Sequence, residues 1–266
     1  MPEGPEVKIA SKYFNNFFKE CKKVKLTIIT EYYSRKYKEV IDTVNKNIDQ
    51  HPQTYCIGKN IFLDLKNKLI FHIHLGMTGG WSLDNQKHCH FYIHSKNKTL
   101  FFKDIRKFGK IRIISQQELN KKYNKKFDLL NNQYDFKQHL EFLENNIKPT
   151  KSICKILMDQ KYFPGVGNYI KSEALYLAKI HPEEKWSQII KEKRKILIKK
   201  TKNIIQKSYL NGGAELRDFN NPFTKSKFKL NIYGKKQTKN NNDVVSILTS
   251  DNRKTWFCPK TQILID

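Results

Sequence analysis

The chain begins Met1-Pro2-Glu3-Gly4-Pro5-Glu6. A small residue at position 2 is what removal of an initiator methionine requires, and removal would expose the ring nitrogen of Pro2. An α-amine has a pKa of about 8 against about 10.4 for lysine, so up to roughly a hundredfold more of it is neutral and nucleophilic at pH 7. A secondary amine that attacks a sugar C1′ forms an iminium directly, with no further proton loss. Glu3 and Glu6 stand three residues apart, placed to protonate a sugar ring oxygen and to organise water. Proline and glutamate also favour helix N-termini for structural reasons alone, and the segment by itself fits that reading too.

Two further constellations carry chemistry. In YFPGVGN (162–168) a Gly/Pro turn opens into a helical pattern; successive backbone N–H groups there would seat a phosphate, with Asn168 adding a side-chain donor. A structural turn between helices reads the same way. The segments LGMTGG and DIRKFGK hold Met77, Arg106 and Phe108, side chains suited to filling the hole left by an everted base. Met77 and Phe108 equally suit a hydrophobic core.

The charge points the same way. Fifty-one Lys and Arg against 25 Asp and Glu leave +26, and a globular chain so basic usually meets a polyanion. An AT-rich coding bias toward Lys and Asn would account for part of it. No apolar run reaches the roughly 18 residues of a membrane span, and MPEGPEVK has no signal-peptide core, so the expectation is a soluble, intracellular protein without membrane contact, in nucleus or cytoplasm. Five scattered cysteines form no C-x-x-C pair and suit neither a disulfide framework nor a zinc site. His72 and His74 share a strand pattern, and His88 and His90 lie elsewhere; no metal site is expected.

The elements that position these residues read as follows. Residues 3–19 predict a helix, with Val7, Ala10, Phe14, Phe17 and Phe18 at helical spacing. From 24 to 114 the period drops to two: IFLDL, LIFHIHL, HFYIH, TLFFKDI and KIRII predict strands, with SKNK as a turn, in two packed sheets. Residues 120–133 read as a linker or loose helix, followed by helical patterns at 151–159, 168–179 and within 183–208. FKLNIYG and KTWFCP, joined by KKQTKNNND, predict a closing hairpin. The expected fold class is α+β in two domains: a β sandwich flanked by helices over 1–130, and a helical domain over 131–266 ending in a β-hairpin finger at about 229–262.

Taken together, PEGPEVK, the GK of YCIGKNIFL, HLGMTG, DIRKFG, LMDQKYFPGVGNYIKSEAL, GGAELRDF and RKTWFCPKTQ resemble, in that order and over essentially the whole chain, the formamidopyrimidine-DNA glycosylase/endonuclease VIII family. The resemblance implies a bifunctional DNA glycosylase and abasic-site lyase of base excision repair, acting as a monomer on damaged DNA, duplex or partly single-stranded, with no cofactor. It implies Pro2 as Schiff-base nucleophile, Glu3 as general acid with Glu6 beside it, Lys59 as a strand lysine that contacts phosphate and assists β-elimination, and Arg253 as the finger arginine that supports δ-elimination. Met77, Arg106 and Phe108 match the void-filling trio, His88 and Lys155 approach the backbone, and Asn168 binds phosphate.

Three departures from the family pattern matter. Fingers of the family often carry four cysteines on zinc, whereas 229–262 holds only Cys258, which resembles a zincless finger packed on Tyr233, Trp256 and Phe257. GNYIKSE resembles the endonuclease VIII-like branch. The segment 218–228 is short and lacks glycine, which argues against 8-oxoguanine as a major substrate; the expected substrates are oxidised pyrimidines, ring-opened purines and abasic sites, with spiro-hydantoins as a further candidate class. Two other classes stay open: a DNA-binding protein of the same fold without catalysis, and an N-terminal-proline enzyme acting on small carbonyl compounds.

Overall fold

The computed structural model describes residues 1–215 and 225–265. The chain divides into two compact units, one from Met1 to Tyr123 and one holding Asn124–Ala214 with the chain from Lys227 on.

The first unit opens with α1 (Gly4–Phe17), then β1 (Lys25–Ile28), α2 (Glu31–Asn47), β2 (Thr54–Ile57), β3 (Asn60–Asp64), β4 (Leu69–His74), β5 (Gly79–Ser82), β6 (Cys89–Ser95), β7 (Lys98–Asp104), β8 (Lys110–Ser115) and α3 (Gln116–Lys122). Two four-stranded sheets form, ordered β1-β6-β7-β5 and β2-β3-β4-β8, with every neighbour antiparallel. Alternation along the strands decides the faces. Ile61, Leu63, Phe71 and Ile73 of one sheet meet Leu26, Trp81, Phe91, Ile93 and Phe102 of the other in one core, which α1 joins through Val7 and Phe14. Phe62 points the opposite way, into a smaller cluster with Ile70, Ile114 and Leu119 beneath α3. The sandwich flanked by helices is the expected one.

One element departs from the expectation. Residues 31–47 form a 17-residue helix, not strand. Tyr33, Tyr37, Ile41 and Val44 recur at helical spacing and are buried, but the stretch is rich in tyrosine and β-branched residues, whose composition favours strand and hid the period.

The second unit contains α4 (Phe136–Asn146), α5 (Ile153–Met158), α6 (Asn168–Ala178), α7 (Lys191–Leu210), β9 (Val245–Leu248) and β10 (Lys254–Phe257). α6 packs along α7, and Phe163, Tyr169, Ile170, Leu175, Leu197, Ile198 and Ile205 are buried. α4 was not foreseen, and the long helical pattern begins only at Lys191. The finger also differs from expectation. Its antiparallel hairpin pairs β9 with β10, Ile247 opposite Thr255 and Ser246 opposite Trp256, so FKLNIYG is not one of its strands. The physical reason is Glu173: its buried carboxylate accepts the backbone N–H groups of Asn231, Ile232 and Tyr233 at 2.9–3.0 Å, which removes those donors from any ladder. Among the described residues no helix is long and apolar enough to cross a membrane.

Each unit buries a neutral histidine. His72 lies on Phe62 with ring centroids 5.0 Å apart, and its Nδ1 accepts from Arg112 Nε at 2.8 Å; burial, then the Arg112 charge, pulls its pKa down to about 3. His139 stacks on Phe127, with Nε2 2.7 Å from the Tyr162 carbonyl, and burial pulls it to about 4. Both folded pKa values lie below that of an unfolded imidazole at about 6.5. Below that pH the unfolded chain binds more protons, so this stabilisation is complete above about pH 6.5 and is lost as pH falls toward 4. The melting temperature should therefore drop over that interval. His139→Gln, measured by calorimetry across the same range, should show a shallower drop; an unchanged slope would remove His139 from the account.

Candidate functional site

At the N-terminus, Glu3 caps α1 in extended conformation and Glu6 reaches back to accept the Glu3 N–H at 2.8 Å, a capping-box arrangement. Pro2, Glu3 and Glu6 are all buried. Pro2 follows Met1 in the sequence, and its nitrogen becomes an amine once Met1 is removed. α1 is fastened to β2: Ser11 and Thr54 hydroxyls meet at 2.9 Å, and Asn15 bonds the Thr54 carbonyl at 2.8 Å and amide at 2.7 Å. β2 leads into a two-residue turn of Gly58, at φ 58°, and Lys59 before β3. Lys59 therefore sits in the hairpin turn rather than in a strand, and it is buried. His74 lies within its electrostatic reach: burial first, then Lys59, Lys110 and Arg112, lowers the His74 pKa and keeps the ring neutral. Its Nδ1 accepts the Gly76 N–H at 3.1 Å, so the neutral ring carries its proton on Nε2 as a donor.

Two loops of the sandwich converge through Asp104, which is fully buried. Its carboxylate accepts the Gly109 N–H at 2.6 Å and the Thr78 hydroxyl at 2.5 Å, while Thr78 Oγ1 receives the Arg106 N–H at 3.0 Å. The Asp104 N–H donates to the His88 carbonyl at 2.9 Å, which adds the turn carrying His88 to the same assembly. Gly76 adopts φ +67°, and a Cβ there would come within 2.5 Å of the Phe108 carbonyl carbon, so the loops touch backbone to backbone. This assembly leaves Phe108 49% exposed, with the Arg106 guanidinium 4.8 Å above its ring. Met77, which follows Gly76, is half-buried. Phe108 is thus no core residue.

In the second unit, α5 and α6 are joined by a turn that Asp159 and Gln160 tie together. Asp159 accepts the Lys161 N–H at 3.0 Å; Gln160 accepts that of Gly165 at 3.1 Å and donates to the Val166 carbonyl at 2.9 Å. Gly165, at φ 88°, supplies the left-handed step that leads into α6. Asn168, in the first turn of α6, donates from Nδ2 to the Lys254 carbonyl at 2.8 Å, while its Oδ1 is buried without a hydrogen-bond partner. The turn motif and the finger are thereby joined. Arg253 is exposed at the hairpin end, its carbonyl accepting the Thr249 N–H at 3.1 Å. Lys155 lies on the exposed side of α5, and Ser152 before it meets Ser250 of the hairpin at 2.7 Å. Tyr233 and Trp256 pack with centroids 4.4 Å apart, whereas Phe257 turns away to meet His181 at 4.7 Å. Among the described residues no three His, Cys, Asp or Glu side chains cluster as a metal site.

Residues 1–111 match the family described as formamidopyrimidine-DNA glycosylase N-terminal domain, and residues 128–220 match its H2TH domain. The chain belongs to the formamidopyrimidine-DNA glycosylase family. It is 30% identical over 283 residues to the formamidopyrimidine-DNA glycosylase of Rickettsia bellii, covering 98% of this chain and 99% of that one. To the enzyme of the same name from Wolbachia pipientis it is 29% identical, covering 98% and 100%. Among solved structures it resembles MutM in complex with DNA containing carbocyclic 8-oxo-G, at a TM-score of 0.82 and 26% identity. It likewise resembles wild-type Lactococcus lactis Fpg in complex with DNA containing an oxidized pyrimidine, at 0.80 and 26%; each covers 99% of this chain and 100% of the other.

In this member of the family, reasoning from sequence missed His74, Asp104 and Glu173. Each had a faint signal: His74 adjoins the LGMTGG motif, Asp104 opens DIRKFG, and Glu173 is an acidic residue inside an apolar helical stretch. The backbone approach at Gly76 is directly testable. Gly76→Ala should destabilise the fold by at least about 1–2 kcal/mol, the cost of a left-handed conformation, with the clash against Phe108 in addition. A denaturant midpoint equal to wild type would mean that the 104–109 loop yields.

Proposed function

We propose that this chain is a bifunctional DNA glycosylase and abasic-site lyase of base excision repair that acts through Pro2. The observation that carries the reading is the N-terminal arrangement. Two buried carboxylates adjoin the one residue able to present a secondary α-amine, and the Glu6 bond to the Glu3 amide orients Glu3. With Met1 removed, the Pro2 nitrogen attacks C1′ of the damaged nucleotide. The C1′–base bond breaks, the proton of the Pro2 amine passes to the departing base, and the sugar ring opens as Glu3 protonates its oxygen, leaving an iminium between Pro2 and C1′. The resulting iminium acidifies the C2′ protons, and loss of one expels the 3′ phosphate. A second elimination expels the 5′ phosphate, and water releases Pro2. Lys59, buried in its turn with the neutral His74 nearby, supplies positive charge at the phosphate. Arg253 does the same from the finger with a planar fork.

Binding follows from the same residues. The +26 charge draws in DNA. Met77, Arg106 and Phe108, held out by Asp104, fill the hole as the damaged nucleotide turns out of the stack. Asn168, Lys155 and His88 hold backbone phosphates. The preferred lesions are oxidised pyrimidines, ring-opened purines and hydantoins. The Lactococcus lactis neighbour in complex with oxidized-pyrimidine DNA supports that class. The short 218–228 segment that argues against 8-oxoguanine lies largely outside the described residues. The finger works without metal, held by Glu173, Asn168 and the Tyr233–Trp256 pair, and we place the chain in the endonuclease VIII-like branch.

Borohydride added to an oligonucleotide with a single oxidised pyrimidine should trap a covalent adduct, which peptide mass spectrometry should assign to residue 2. Binding without any adduct would favour a non-catalytic damage-binding protein, and an adduct on Lys59 would remove Pro2 from the mechanism. Glu3→Gln should abolish base excision while sparing some cleavage at preformed abasic sites; equal loss of both would remove Glu3 as the acid. Separately, Arg253→Ala should weaken binding to abasic-site DNA by roughly 1.5–3 kcal/mol, as for a hydrogen bond to a charged group. Arg253→Lys should recover only part of it, and wild-type binding by both variants would exclude the finger as a clamp.

A further inference from the structure

Lys171, in the middle of α6, is completely buried, and its Nζ lies 2.6 Å from Oδ2 of Asp251, itself 6% exposed, in the turn between β9 and β10. Stability is a poor explanation for such a pair. Two charges withdrawn from water are often matched or exceeded in stability by well-packed apolar side chains of similar volume. A buried ion pair differs from an apolar contact in its directionality, and here the direction leads to Arg253.

The connection can be followed bond by bond. The other Asp251 oxygen, Oδ1, accepts the Thr249 hydroxyl. That hydroxyl has a single proton, shared between Asp251 Oδ1 and the Arg253 carbonyl 2.9 Å away, so at 2.7 Å from Thr255 Oγ1 it acts as acceptor. The Thr249 N–H donates to the Arg253 carbonyl at 3.1 Å, and the Thr249 carbonyl accepts the Asn252 N–H at 2.8 Å, with Asn252 in the left-handed region at φ 57°. Asp251 thus governs a closed turn whose next-but-one residue is Arg253. On the helix side, Lys171 and Asn168 are three residues apart and share a face. Asn168 takes the Lys254 carbonyl at 2.8 Å, and Ser172 Oγ receives the Trp256 N–H at 3.4 Å. α6 therefore grips the hairpin on both sides of Arg253, and only at Lys171 is the grip ionic.

We propose that Lys171 and Asp251 are positioning residues. Their buried ion pair registers the hairpin turn on α6 and so sets Arg253 relative to Asn168, at the spacing needed to hold neighbouring phosphates during strand scission. The inference rests on the reading of Arg253 as a DNA-gripping residue. Neither residue of the pair contacts DNA; they act through the backbone of the turn.

The test separates registration from stability in the full chain, with Arg253→Ala as reference. Single-turnover scission of a preformed abasic site and melting temperature are measured for Lys171→Met, Asp251→Asn, the double variant Lys171→Met/Asp251→Leu, and Thr249→Val, which keeps the ion pair but removes the hydroxyl that ties the Asp251 carboxylate to the closed turn. The single variants at 171 and 251 should melt lower and cleave more slowly, since each leaves a buried charge without its counter-charge. The double variant should regain the wild-type melting temperature to within about 2 °C yet cleave roughly tenfold more slowly, as should Thr249→Val. Adding Arg253→Ala to the double variant should cost little more, because the arginine is already misplaced. Wild-type scission by Thr249→Val and by any double variant that folds would overturn the inference, provided that Arg253→Ala is impaired. Wild-type scission by Arg253→Ala itself would instead overturn the reading on which the inference rests.

Discussion

A carboxylate taken out of water has to be given donors, because an ionised group left unpaired in a low-dielectric interior is among the costliest defects a fold can hold. In this chain the requirement is met largely by backbone N–H groups and hydroxyls in the segments that matter most. Glu6 takes the Glu3 amide, and Asp104 takes the Gly109 amide and the Thr78 hydroxyl. Glu173 takes three consecutive amides at Asn231, Ile232 and Tyr233. The 105–109 and 231–233 segments are irregular and have few ladder bonds of their own, so the buried acid provides a centre around which an otherwise loose loop takes one shape. The acids can do this because the surrounding layers are packed tightly enough to exclude competing water.

The same use of acids bears on charge. Several acidic residues lie inside, hydrogen-bonded to donors, while most lysines remain on the surface, so the exterior is more uniformly basic than the composition alone conveys. Where cations approach one another near Lys59, the neighbouring imidazole of His74 stays neutral and serves as a hydrogen-bond partner rather than as a further charge. An uncharged donor beside a lysine avoids the repulsion that a second cation would impose on it.

The finger illustrates how a small appendage takes its geometry from a neighbouring helix. A two-stranded hairpin is marginal in water, and this one has only four residues in each strand. Its support comes from α6, which contributes Asn168, Lys171, Ser172 and Glu173 within six residues, and from the Tyr233–Trp256 contact. Six adjacent positions on one rigid helix act as a template, so the appendage inherits the precision of the helix that it leans on.

Much of this was legible in the residues themselves. Strands such as Leu69–His74 and Cys89–Ser95 declared themselves because a period of two is a local property, and the N-terminal helix because Val7, Ala10 and Phe14 recur at its pitch. The N-terminal Pro-Glu pair and the GVGN turn were visible because their chemistry lies in contiguous residues. Three kinds of information were not local. The helix at 31–47 was masked by tyrosines whose burial against both sheets overrides their strand preference. FKLNIYG looked like a strand until Glu173, some sixty residues earlier in the chain, claimed its amides. The importance of Asp104, His74 and Lys171 depended on which partners the fold would bring to each. Residue types and their local spacing thus determined the elements and the chemistry available at contiguous motifs. Which buried charge meets which donor was decided only in the tertiary structure, since that pairing depends on distances between segments that local periodicity does not encode.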